Sequence, residues 1–129
     1  MNKPILCLDF DGVVHQYSKG WQDGTIYDDV TEGFFEWAEV AAQKFKLVIY
    51  SSRSKTMEGI EDMRSWYHNQ LSLYEARVGR SPTPEFSVTF ATSKPPAFVT
   101  IDDRAVNFTG NWKDFNPDDL LKFKPWNQV

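Results

Sequence analysis

Short apolar runs alternate along the chain with longer stretches in which apolar positions recur every three or four residues. Ile5 to Leu8 is the first run, and Asp9-Phe10-Asp11-Gly12 ends it. A continuous run of this kind predicts a strand buried on both faces, as in parallel sheets. Residues 13–28 mix Ser18, Gly20, Asp23 and Gly24 with Tyr17, Trp21 and Tyr27, a pattern that predicts a loop or hairpin. Asp29-Val30-Thr31-Glu32 carries the marks of a helix start, an Asp N-cap with Glu three residues on. Val30, Phe34, Trp37, Ala41 and Phe45 then line one helical face. Lys46 to Tyr50 predicts a second buried strand, interrupted by Ser51-Ser52-Arg53-Ser54. A second helix is expected from about Lys55 to Leu71, with Met57, Ile60, Met63, Tyr67 and Leu71 on one face. Residues 72–85 hold Gly79, Pro82 and Pro84 and read as a connector. Phe86 to Phe90 alternates as a strand does. Lys94-Pro95-Pro96 is a break, and Ala97 to Ile101 is a further buried strand ended by Asp102-Asp103. A short helix is expected at Pro117 to Phe123. The tail aromatics Phe108, Trp112, Phe115, Phe123 and Trp126 are expected to pack on the sheet.

The order strand, helix, strand, helix, strand, strand predicts an α/β domain with a parallel sheet and helices on its faces. A length of 129 residues fits one domain, 1–129, and no internal repeat divides it. An apolar fraction of 41% and an aromatic fraction of 16% exclude a disordered chain. The apolar runs are far shorter than the ~20 residues of a membrane helix. Only four apolar residues precede Asp9, which is no signal peptide. The single cysteine, Cys7, excludes an internal disulfide and a cysteine zinc cluster and reads as a small core residue. These features together predict a soluble cytoplasmic protein. With 14 basic against 18 acidic residues, the net charge of −4 disfavours a general electrostatic nucleic-acid binder.

The chemically capable residues are not scattered. Asp9 and Asp11 end the first strand, Ser51 ends the second, and Asp102 and Asp103 end the last, with Lys94 just ahead of it. Ligand sites in open parallel sheets form beyond the carboxyl ends of the strands, so these groups are expected to converge. Asp9 and Asp11, two apart on an extended segment, face the same side. Clustered carboxylates need a cation, and oxygen-only ligands point to a hard ion such as Mg²⁺. Gly12 permits the turn that presents a backbone carbonyl to such an ion. Each residue alone has a plainer reading. The aspartates could be caps or turn residues, Ser51 a helix cap, Lys94 a solvated lysine and Arg53 a surface residue. His15 could help in catalysis, but as a lone His in a flap it reads as incidental, and His68 reads as a surface residue.

The joint pattern is more specific than its parts. Leu8-Asp9-Phe10-Asp11-Gly12-Val13, then Ser51 in Val48-Ile49-Tyr50-Ser51-Ser52-Arg53, then Lys94, then Val99-Thr100-Ile101-Asp102-Asp103-Arg104 follow one another in order. In this the chain resembles the haloacid dehalogenase-like (HAD) phosphohydrolase superfamily. The resemblance implies a Rossmann-like three-layer sandwich with a mostly parallel sheet and a short flap hairpin. It also implies a phosphomonoesterase that forms an aspartyl-phosphate. Asp9 would be the nucleophile and Asp11 the general acid and then base. Ser51 would hydrogen-bond the phosphoryl group and Lys94 would add a fixed positive charge. Ser52 and Arg53 would contact substrate. Mg²⁺ would be held by Asp9, the Asp11 carbonyl, and Asp102 or Asp103. An acid at the position of Asp11 favours phosphate esters over carbon–halogen bonds.

The gaps between motifs are too short for a cap domain, so the chain looks like a capless member with an open site. The expected partners are a phosphorylated small molecule, a nucleotide or a nucleic-acid end, with Tyr17, Trp21 and Tyr27 either stacking on a base or sugar or anchoring the flap. The alternative is a non-catalytic phosphate- or metal-binding regulatory domain of the same fold. A response-regulator receiver would carry an Asp at the end of a central strand, and Leu47-Val48-Ile49-Tyr50-Ser51 has none. A sugar transferase using Asp-x-Asp is normally much longer and does not open with that motif.

Overall fold

The computed structural model describes residues 2–83 and 86–128. Pro84, expected in the connector, lies outside the described residues. The apolar runs form four parallel strands: β1 (Ile5–Leu8), β2 (Lys46–Ile49), β3 (Val88–Phe90) and β4 (Val99–Ile101), in the order β3-β2-β1-β4. Leu6 pairs with Leu47 and Val99, Leu8 with Ile49 and Ile101, and Ile49 with Phe90. This register puts Leu6, Leu8, Leu47, Ile49 and Phe90 on one face, where all are buried. Two helices cover that face, α1 (Phe34–Ala41) and α2 (Met57–Val78). Phe35 of α1 packs on Tyr67 and Tyr74 of α2 with ring centroids 5.6 and 5.1 Å apart, so both helices share one layer.

The other face is covered differently from expectation. Hydrogen bonds from Ala91 N to Ile49 O and from Phe98 N to Ile5 O pin the two ends of the β3–β4 connection at opposite edges of the sheet. An eight-residue crossover therefore spans this face in place of a helical third layer. Cys7 and Val48 are buried on it. A third helix, α3 (Pro117–Leu120), has no buried residue. The architecture is an all-parallel α/β sheet consistent with a small Rossmann-like sandwich. No helix among the described residues is long and apolar enough to cross a membrane.

Several boundaries move for identifiable reasons. The expected cap at Asp29 does not start α1, which begins after Gly33 in the left-handed region (φ 83°) with no side-chain cap. Thr31 is instead bonded to Val13 and Val14, and Gln70 of α2 takes Val30 N and the Asp29 side chain. Tertiary partners thus use up the groups that would have capped the helix. α2 continues to Val78 because Tyr74 and Val78 extend its inner face, and Gly79 (φ 77°) ends it. The connector therefore begins at Gly79, not at residue 72. Residues 16–28 form no strand pair; isolated bridges join His15 to Asp11 and to Val30. The expected flap hairpin is an irregular loop.

The tail does not pack on the sheet as expected. Phe108, Trp112 and Phe115 cluster with one another, and Phe108, Trp112, Phe123 and Trp126 are exposed. Its end returns to the turn after β1, where Trp126 Nε1 donates to Gly12 O at 2.7 Å and Asn127 Nδ2 to Gln16 O at 2.9 Å.

Glu39 is the buried charge of the helical layer. Arg80 grips both its oxygens, at 2.9 and 3.0 Å, and the Tyr74 hydroxyl donates to it. Arg80 first and Tyr74 second pull its carboxyl down to about 2. A depressed carboxyl stabilises the fold above its unfolded value and loses that contribution as pH falls through the folded one. Glu39→Gln is expected to cost about 1–3 kcal/mol at pH 7. The gap in Tm from the unsubstituted chain should close between pH 4 and pH 2, which thermal melts across that range check.

Candidate active site

Because all four strands are parallel, their carboxyl ends lie at one edge. Asp9 leaves β1 there, its N–H still bonded to Ile101 O of β4 at 3.0 Å. Its carboxylate accepts from Phe10 N at 2.8 Å. Asp102 and Asp103 leave β4 beside it. Asp9, Asp102 and Asp103 each offer an oxygen within 4.8 Å of the others'. Burial, then the neighbouring Asp102 and Asp103 carboxylates, pushes Asp9 up to about 7. Asp103 is also raised, by burial first. The cluster is thus electrostatically costly when ionised alone, as a cation seat is. Gly12 completes it: its φ of 84° favours glycine, and a Cβ there would overlap the Asp103 carboxylate.

The Asp11 side chain is turned to different partners. Its Oδ1 meets His15 Nδ1 at 2.9 Å and its Oδ2 accepts from Arg53 Nε at 2.8 Å. Burial acts to raise this carboxyl, but the bonds from His15 and Arg53 outweigh it and hold Asp11 below the usual carboxylate range. That direction suits a base and opposes a resting general acid. His15 is fully buried, and its Nε2 accepts from Asp28 N at 3.0 Å. This acceptor role assigns the remaining proton to Nδ1, which donates to Asp11. Phe10, Tyr17, Tyr27 and Trp66 surround the imidazole with ring centroids 5.3–5.7 Å away. His15 is thus not incidental, contrary to the sequence reading. Its only signal was its place four residues after Asp11, next to flap aromatics.

Ser51 is buried, and its Oγ accepts from Arg53 N at 3.1 Å while Ser54 Oγ accepts from Ser51 N. It caps the short 3₁₀ turn Ser52–Lys55 and keeps its own hydroxyl proton to donate. Ser52 is exposed. Arg53, expected to meet substrate or solvent, is instead mostly buried and committed: besides Asp11 it donates from Nη1 to Gly24 O at 2.6 Å. It ties the flap loop to the end of β1. Lys94 is exposed on the crossover, and among the described residues its ammonium pairs with none of the three clustered aspartates.

The flap aromatics divide. Tyr17 and Tyr27 pack on His15, and the Tyr27 hydroxyl donates to Gly20 O and accepts from Lys19 N. Trp21 stands 66% exposed. His68, expected at the surface, is exposed on α2. A cavity of about 590 Å³ opens at the opposite edge beside Lys3 and Lys46. None of the clustered carboxylates lines it. Comparison with known proteins gives no match: no family model, curated protein or solved structure is significantly similar to the chain.

A carboxyl raised in the folded state stabilises below its unfolded pKa and loses that contribution as pH rises through the folded one. The metal-free protein is therefore expected to lose Tm between pH 5 and pH 8 as Asp9 ionises against its neighbours. Added MgCl₂ should raise Tm by about 5 °C at pH 8 and by much less at pH 5. Asp9→Asn should flatten the pH dependence; differential scanning fluorimetry with and without MgCl₂ checks all three.

Proposed function

We propose that this chain is a divalent-cation-dependent phosphomonoesterase that works through an aspartyl-phosphate on Asp9, as its resemblance to HAD phosphohydrolases implies. The observation that carries the reading is the meeting of Asp9, Asp102 and Asp103 at the carboxyl edge of the sheet. Three carboxylate oxygens are the donor set of a hard cation such as Mg²⁺. The Asp103 carboxylate fills the space that a Cβ on Gly12 would take, so the turn is shaped around the cluster. Asp9, Asp102 and Asp103 would hold the ion, with the Asp11 carbonyl as a further oxygen. When bound, the ion offsets the repulsion between a phosphate and the Asp9 carboxylate.

The protein's own groups then divide the chemistry. An Asp9 oxygen attacks phosphorus in line, the new O–P bond forms, and the bond to the ester oxygen breaks. The leaving oxygen takes a proton from Asp11. The phosphate's negative charge beside Asp11 acts against the pull of His15 and Arg53, the direction that this proton donation needs. In the second half Asp11 takes the proton of a water that attacks phosphorus, and the Asp9–phosphorus bond breaks to release inorganic phosphate. The free Ser51 hydroxyl proton would serve a phosphoryl oxygen, and Lys94 would add positive charge from the crossover.

A second reading has one observation in its favour. Asp11 is clamped as a carboxylate by two donors, which suits a phosphate- or metal-binding domain that does not turn over.

Release of phenolate from an aryl phosphate separates the two. The full chain with MgCl₂ is expected to hydrolyse it and to lose the activity on addition of EDTA. Asp9→Asn should abolish turnover with the circular dichroism spectrum unchanged, and Asp11→Asn should lower kcat by about 10²–10⁴. Turnover persisting in Asp9→Asn removes Asp9 as the nucleophile. Failure of the unsubstituted chain with every divalent metal, across nucleotide and sugar phosphates, leaves the binding reading.

A further inference from the structure

We infer that Trp21 is the stacking platform for a nucleobase, which makes a nucleoside monophosphate the substrate class of the site. This rests on the phosphomonoesterase reading for the reaction, though not for the binding. The geometry singles out Trp21 among the flap aromatics. Tyr17 and Tyr27 have their rings against His15, and the Tyr27 hydroxyl is bonded on both its donor and acceptor sides. Both are partly buried, whereas Trp21 is exposed.

The exposure of Trp21 is not that of a frayed loop. Ser18 bonds twice to Asp28, and Arg53 holds Gly24 O at 2.6 Å. The loop is braced on both sides of the indole, yet 66% of the side chain faces solvent. The guanidinium of Arg53 lies 5.9 Å from the indole centroid.

Trp21 forms one wall of a cleft of about 280 Å³ bounded also by Ser52, Arg53, Lys55, Glu58 and Asp62. That volume lies just under the ~300 Å³ lower bound of ligand pockets, the scale of a base rather than of a larger ligand. Arg53 is the wall this cleft shares with the candidate active site, because the same side chain donates to Asp11. A ring stacked on Trp21 therefore lies across Arg53 from Asp11, while Asp9, Asp102 and Asp103 do not themselves line the cleft. A second hollow of about 520 Å³ also borders Trp21, but neither Ser52 nor Arg53, which follow the end of β2, lines it.

The charges of the cleft choose the chemistry. Arg53 is already paired with Asp11, and Lys55 faces both Glu58 and Asp62, so the cleft has no surplus cation for a second phosphate. The two carboxylates are acceptors for the exocyclic amino group of adenine, guanine or cytosine. The phosphate then points the other way, past Arg53 toward the aspartate cluster. An indole face binds any base, which makes the platform tolerant of base identity.

The test is equilibrium binding by calorimetry. It uses the full chain carrying Asp9→Asn, with MgCl₂ present, so that no ligand is consumed. The probes are adenosine 5′-monophosphate and ribose 5-phosphate, which differ by the base. The monophosphate is expected to bind on the order of tenfold more tightly. Trp21→Phe should keep most of that ratio, and Trp21→Ala should bring it to about one. Equal affinity of the two probes, or no binding of either, overturns the inference, as does a ratio that survives Trp21→Ala. The reaction is judged separately. A Trp21-dependent ratio in a chain that never releases phosphate would sink the phosphatase reading and leave a nucleotide site. Turnover with no such ratio would do the reverse.

Discussion

The parallel alignment of β1 between β2 and β4 is the constraint on which the rest of the molecule depends. Three strands running the same way deliver their carboxyl ends to one edge, and the residues that follow them have no choice but to meet. Asp9 stays hydrogen-bonded to Ile101 as it leaves β1, so the start of one acidic segment is registered against the end of the strand that carries the other. The cost is electrostatic. Burial first, and then the resistance of three carboxylates with oxygens within 4.8 Å to ionising together, drives Asp9 up to about 7. Hydrophobic burial of Leu8, Ile49 and Phe90 behind this edge stabilises a charge arrangement that would not assemble by itself.

A second network, centred on Asp11, organises the loop that borders the site. The carboxylate draws His15 from one side and Arg53 from the other, and each partner reaches on into the flap, His15 to Asp28 and Arg53 to Gly24. Trp66 of α2 donates to Asp28 O, which ties the same loop to the helical layer. A stretch with no regular hydrogen-bond ladder is thereby held by side chains. The tail adds to this bracing where Trp126 meets Gly12 O, so chain from both ends converges on one turn.

Economy of chain shapes the remainder. An extended crossover between β3 and β4 does the covering that a helix would otherwise do, and it leaves Thr89 and Thr100 exposed on that face. β4 is an edge strand with Val99 and Ile101 about half exposed, at 47% and 41%. The apolar groups of the tail pack on one another, leaving Phe108 and Trp112 open to solvent.

Much of this was legible in the residue order. β1 was read to the residue, the other strands to within one or two, and the convergence of Asp9, Ser51, Asp102 and Asp103 on one edge follows from any parallel arrangement of those runs. Apolar periodicity suffices there because burial on a sheet or helix face is a local matter of spacing. Other features depend on groups far apart in sequence. The cap at Asp29 was lost to Gln70, 41 residues away, and Arg53 was drawn in by Asp11, 42 residues away. His15 looked incidental because nothing local says that Asp11 will turn toward it. Sequence alone determined which elements form and which edge gathers the acids, since both follow from local pattern and strand direction. Only the tertiary structure decided which polar side chains are consumed in pairing with each other and which, like Trp21, are left free, because that depends on which hydrogen-bond partners the fold brings within reach.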